Sequence, residues 1–214
     1  MKTITRTAPL ARAFTSLITL GLAGLALQTA HAQSPCQSGA AYAANAYIRF
    51  NPLYEVYFGD LKSYITANGA HFRAGSDAVK CLSALSDAYR QHSHQLYDPA
   101  DVARKVEIDR DLARHGISSG APQPSASSLA YGMSTQLAQL ARGLPSAANG
   151  NFGPLVIPTN KQERTQYLAR QLFPLITQNP TVREVFAALE PLIREAAELE
   201  YKMIMQTATS IASN

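Results

Sequence analysis

The chain is expected to fold all-α, as a helical bundle of roughly six to seven helices stapled near its N-terminus by one disulfide. Three observations lead there. Capping side chains stand immediately before prolines at Asn51-Pro52, Asp98-Pro99 and Asn179-Pro180. A proline in the first helical turn sacrifices no hydrogen bond, so these pairs read as helix starts. Between such marks the apolar residues recur at three- and four-residue intervals, and strand-like alternation is nowhere sustained.

The first element reads as an export signal rather than part of the fold. Met1 to Arg12 is a basic head carrying Lys2, Arg6 and Arg12, and the apolar run Phe14 to Leu27 follows. Ala30-His31-Ala32 then sets small residues at the two positions a signal peptidase reads. A helix of those 14 apolar residues would reach about 21 Å. The hydrocarbon core needs roughly 30 Å, so no stable membrane span is expected after processing. Cleavage near Ala32 leaves 33-214 as a single all-α domain in the periplasm or outside the cell, with a sub-boundary conceivable near 117-125.

Cys36 and Cys81 are the only cysteines. In an oxidising compartment they allow one bridge, and no C-x-x-C or metal-spaced histidine offers either of them another role. Closing this 45-residue separation should stabilise the fold by about 4 kcal/mol in the chain-entropy picture and pin the new N-terminus to the helix of Cys81.

Further along, Ser76-Asp77 and Asn160 are additional N-cap candidates, while Gly69, Gly116 and Gly143 suit helix C-terminal ends. Cys81, Leu85, Tyr89, His92 and Leu96 line one stripe; Leu129, Met133, Leu137, Leu140 and Leu144 line another. Ser118 to Ser125 reads as a linker. Pro145 to Thr159 reads as a longer loop whose apolar centre, Phe152 and Leu155-Val156-Ile157, should lie back over the core. The C-terminal stripe is Val182, Val185, Leu189, Leu192, Ala196, Leu199 and Met203. Its 3-4 spacing makes a narrow seam, usable inside the bundle or for homo-oligomerisation, and Pro191 should kink or divide it. Glu184, Glu190, Glu195, Glu198 and Glu200 fall off the seam.

Composition narrows the function. The formal charge is +4, but removing Lys2, Arg6 and Arg12 from the 19 basic residues leaves 16 against 15 acidic ones. A near-neutral chain carries no electrostatic footprint for nucleic acid. No zinc-protease, di-iron or haem-attachment spacing occurs among His71, His92, His94 and His115. Nucleophile-elbow and phosphate-loop motifs are equally absent, so no catalytic residue, metal or cofactor is assigned. Asp109 and Asp111 are two apart on a helix and splay, and the segment Glu107 to Arg114 reads as a charged outer face.

One feature rises above this background. Seven of the 17 aromatic side chains fall between Tyr42 and Tyr64. Tyr47, Phe50, Tyr54, Tyr57 and Tyr64 repeat at helical spacing, although Asn51-Pro52 should break the helix between them. Tyrosine has an apolar body and a polar tip, so the stripe is either a core edge or a contact surface. The preferred expectation is an exported, non-catalytic binding protein: an adaptor, chaperone-like factor or inhibitor of another exported protein, with these tyrosines as its candidate surface. The alternative is a small apolar-ligand carrier or enzyme whose inter-helix site draws on His71, Arg73, Tyr89, His92 and Tyr131.

Overall fold

Ser34 opens the first helix, α1 (Pro35–Phe50), by accepting a hydrogen bond from the Cys36 N–H, with Pro35 in the first turn. The structure, a computed structural model, describes residues 34–91, 97–114, 124–155 and 182–213. Side chains of residues 56 and 182–188 are not described. Asn51 is extended and ends α1, and its Oδ1 accepts from the Leu53 N–H at 3.0 Å to start α2 (Pro52–Phe58). The helix break expected at Asn51-Pro52 is therefore real. Gly59 closes α2 with φ +84°, a region L side chains avoid. Asp60 then caps α3 (Leu61–Ala67) through the Ser63 N–H at 2.7 Å, and a 3₁₀ turn, Gly69–Phe72, follows.

Helix α4 (Asp77–Gln91) carries Cys81, and α5 (Pro99–Arg114) starts where Asp98 Oδ1 accepts from the Ala100 N–H at 2.9 Å. Ser125 and Ser128 form a reciprocal capping box at the start of α6 (Ala126–Ala147). A second 3₁₀ turn, Gly153–Leu155, and the long α7 (Val182–Ser213) complete the described elements. Seven α-helices and no strand occur among the described residues, which is the all-α bundle expected.

The core forms where α4 packs on α1 and α6, and where α7 packs on α1 and α5. The Cys36–Cys81 disulfide joins α1 to α4 with the Cα atoms 4.8 Å apart. Beside it Gly39 brings the α1 backbone against Asp77, too close for any Cβ. On the other side of α4, Ser86 Oγ donates to the Ser134 carbonyl (2.9 Å) and Ser134 Oγ donates to that of Ser86 (2.8 Å), so the α4–α6 contact satisfies its own polar groups. Residues Gln33–Asn214 group as one compact unit, and no described helix is long and apolar enough to cross a membrane.

Two expected boundaries move. Gly143 does not end a helix: α6 runs through it and through Pro145 to Ala147. The glycine is needed for packing instead, because Leu155 of the 3₁₀ turn lies where its Cβ would be. The loop after α6 thus begins later than expected, and its Leu155 is fully buried over the core. Pro191 likewise lies inside one continuous helix and does not divide it. The signal segment Met1 to Ala32, His92, His94, Leu96, His115, Gly116, most of the Ser118 to Ser125 linker, Val156, Ile157, Asn160 and Asn179-Pro180 lie outside the described residues.

Candidate functional site

Helix α5 buries Val102, Lys105, Val106, Ile108, Asp109 and Leu112. Their three- and four-residue spacing makes one face, so Lys105 and Asp109 go inside with the apolar residues between them. Helix α7 buries Leu189, Ile193, Ala196, Ala197, Glu200, Met203, Ile204, Thr207 and Ala208 by the same periodicity. Where these two faces meet, Lys105 Nζ lies 2.6 and 2.8 Å from the Asp109 carboxylate oxygens and 2.8 Å from Glu200 Oε1. Tyr54 of α2 donates its hydroxyl to the same Glu200 oxygen at 2.9 Å. Tyr47 of α1 also faces Glu200. Two turns further along α7, Thr207 Oγ1 donates to the Tyr89 hydroxyl at 3.2 Å.

Lys105 is 1% exposed, Glu200 5% and Asp109 6%, so the cluster is sealed from solvent. Burial works against the Lys105 ammonium, but the combined pull of Glu200 and Asp109 outweighs it and holds the amine above its ordinary value. Burial pushes the Asp109 carboxyl up, Lys105 draws it partly back, and Glu200 adds to the rise. Burial, then the Glu200 charge, holds the Tyr47 and Tyr54 hydroxyls well above the usual tyrosine range. These tyrosines are neutral donors throughout the physiological range. The lysine, in turn, lacks the free lone pair that imine chemistry needs. The arrangement can hold charge and protons. Its two carboxylates are paired with Lys105 and buried rather than presented to solvent.

Two outer ion pairs flank the cluster along the same α5–α7 contact. Arg104 makes a bidentate pair with Glu195, Nε to Oε1 at 2.6 Å and Nη2 to Oε2 at 2.8 Å, which lowers the Glu195 carboxyl. Lys202 Nζ reaches Asp101 Oδ2 at 2.7 Å. Both pairs are partly exposed and therefore screened by solvent, so neither is a main source of stability.

The tyrosine stripe divides in two. Tyr47 and Tyr54 are buried, which corrects their place in the expected contact surface: their rings are core and their hydroxyls face a carboxylate. Phe50, Tyr57 and Tyr64 are half-buried and pack at the core edge. The Arg194 guanidinium lies 4.7 Å above the Tyr57 ring, and that of Arg49 lies 4.4 Å above Tyr64. Arg49 also donates to the Asn45 carbonyl and Oδ1, and makes no ion pair among the described residues. Tyr42 stacks on His71 at 3.8 Å, and Lys62 sits 5.5 Å above the Phe152 ring.

Among the described residues, the other candidates do not converge. His71 and Arg73 are exposed, Tyr89 is buried against Thr207, and Tyr131 is 75% exposed on α6. The C-terminal seam turns largely inward: Leu189, Ala196 and Met203 are buried, while Leu192 and Leu199 are half-buried. Among the described residues no group of three or more His, Cys, Asp or Glu is placed to hold a metal ion.

Lys105, Asp109 and Glu200 were not anticipated. Asp109 was expected on a charged outer face and Glu200 off the α7 seam, and both are buried. The available signal was Lys105 and Asp109 at i and i+4 inside the Val102, Val106 and Leu112 stripe. Comparison with family models, curated proteins and solved structures finds no match to this chain.

Proposed function

We propose that this chain is an exported helical binding protein, acting through protein–protein contacts as an adaptor, chaperone-like factor or inhibitor of another exported protein. The observation that carries the reading is the half-buried rim of Phe50, Tyr57 and Tyr64, with Arg194 and Arg49 stacked over two of its rings. Tyrosine and arginine are the residues most enriched at energetic hot spots, since each combines a broad flat contact with directional donors. These rings are held by α1, α2 and α3, so little conformational entropy is lost when a partner covers them. Export is supported by the Met1 to Ala32 pattern together with the Cys36–Cys81 bridge, a bond that persists in oxidising compartments.

The test is affinity capture by the oxidised protein from its own cell envelope, then titration of the purified captured partner against Tyr57→Ala and Tyr64→Ala variants. Each variant should weaken binding roughly tenfold or more while the thermal transition shows the fold intact. Undiminished affinity in both folded variants removes the rim from the interface. Detectable turnover of a small molecule by the purified protein removes the non-catalytic assignment.

A further inference from the structure

The buried cluster on the α5–α7 contact is unbalanced: one ammonium, Lys105, serves two carboxylates, Asp109 and Glu200. The two carboxylates are not equivalent. Glu200 accepts from Lys105 and from the Tyr54 hydroxyl, and it faces Tyr47 as well. Asp109 accepts only from Lys105 among the described residues. Among the described residues, the elements packed around the site bring the following ionisable groups. Helix α1 contributes Tyr47, α2 Tyr54, α4 Tyr89 and α7 Glu200, while α6 carries only Tyr131 and Arg142 as ionisable groups, both exposed.

We propose that this cluster is a proton-binding latch: Asp109 takes up a single proton as the pH falls toward mild acidity, the cluster becomes electroneutral, and α5 is held more firmly on α7. In the neutral form Lys105 keeps Glu200 as its ion-pair partner, and the Asp109 O–H becomes one more donor in a site rich in acceptor oxygens. The direction follows from linkage. Burial raises the Asp109 carboxyl above its unfolded value, so between those two values the folded state binds a proton that the open state releases. Closing α5 is therefore favoured as pH falls through that window and disfavoured as it rises. An ordinary carboxylate–lysine pair, whose carboxyl is depressed, behaves in the opposite sense.

Native-state hydrogen exchange of the α5 amides, from about pH 8 to about pH 4, reads this directly on the disulfide-intact protein. The ratio of wild-type to Asp109→Asn opening constants isolates the cluster from Glu195 and the other surface carboxyls. It should fall by up to about tenfold per pH unit within the Asp109 window. At neutral pH Asp109→Asn should open no more often than wild type, because asparagine mimics the protonated acid. An Asp109→Asn variant that opens tenfold or more often at neutral pH, with a ratio flat in pH, would overturn the proposal in favour of a fixed ion pair. Should that variant fold poorly, the ¹³Cγ resonance of Asp109 in the unmodified protein decides. Titration above the ordinary aspartate value supports the latch, and titration at or below it overturns it.

Discussion

Replacing Lys105 by methionine keeps an unbranched side chain, one atom shorter, and removes the only buried ammonium in the α5–α7 contact among the described residues. The structure sets the size of the effect. The ammonium lies within 2.8 Å of three carboxylate oxygens, and all three side chains are almost wholly buried. Breaking a buried pair by removing one partner costs about 3–5 kcal/mol, because the charge left behind is neither solvated nor paired. Here two are left. For a domain of this size, that corresponds to a melting point roughly 6–20 °C lower. The loss should also depend on pH in a definite sense. Without Lys105 nothing opposes the desolvation of Asp109, so its folded-state pKa rises further than in the wild type. A carboxyl whose pKa is raised on folding destabilises the native state when ionised and ceases to do so once protonated. The deficit of Lys105→Met should therefore be largest near pH 8 and shrink as the pH falls toward about 5. Urea denaturation followed by far-ultraviolet circular dichroism at both values measures it. A deficit below about 1 kcal/mol at the higher pH, or one unchanged by acid, would refute the account of the cluster as a desolvated charge site.

Two further outcomes test the packing around it. Gly39→Ala should destabilise by about 1–3 kcal/mol or more in thermal denaturation, since its Cβ would meet the Asp77 backbone, which cannot move aside like a flexible side chain; a neutral result would mean that the α1–α4 approach is looser than described. A Cys36→Ser/Cys81→Ser double variant should lose about 4 kcal/mol, the loop-closure term for a 45-residue separation, and wild type treated with reductant in denaturant should refold to the same reduced stability.

Much of the fold was legible because it is locally encoded. Asn51 and Asp98 mark helix starts through side-chain and proline chemistry that acts over two residues, whereas Ser76, which also precedes a helix, donates its hydroxyl back to the His71 carbonyl. The misjudged positions are those where a local rule met a distant neighbour. Gly143 has the composition of a helix end, yet Leu155 needs its missing side chain inside α6. Pro145 and Pro191 are breakers by propensity, but lie within continuous helices. The tyrosine stripe shows the same divide, since spacing placed its members on one side without saying how deep each would sit.

The α5–α7 cluster marks the limit. Cysteine count, caps and apolar period determined a disulfide-tied helical bundle from the sequence alone, because each acts within one turn or through one covalent bond. Periodicity could place Lys105, Asp109 and Glu200 on particular helix faces, but only the tertiary structure decided that those faces meet. An isolated helix gains nothing by turning a lysine or a glutamate inward. The gain exists only when the ammonium of one helix meets the carboxylate of another at hydrogen-bond distance, and so the burial of these charges belongs to the assembled bundle.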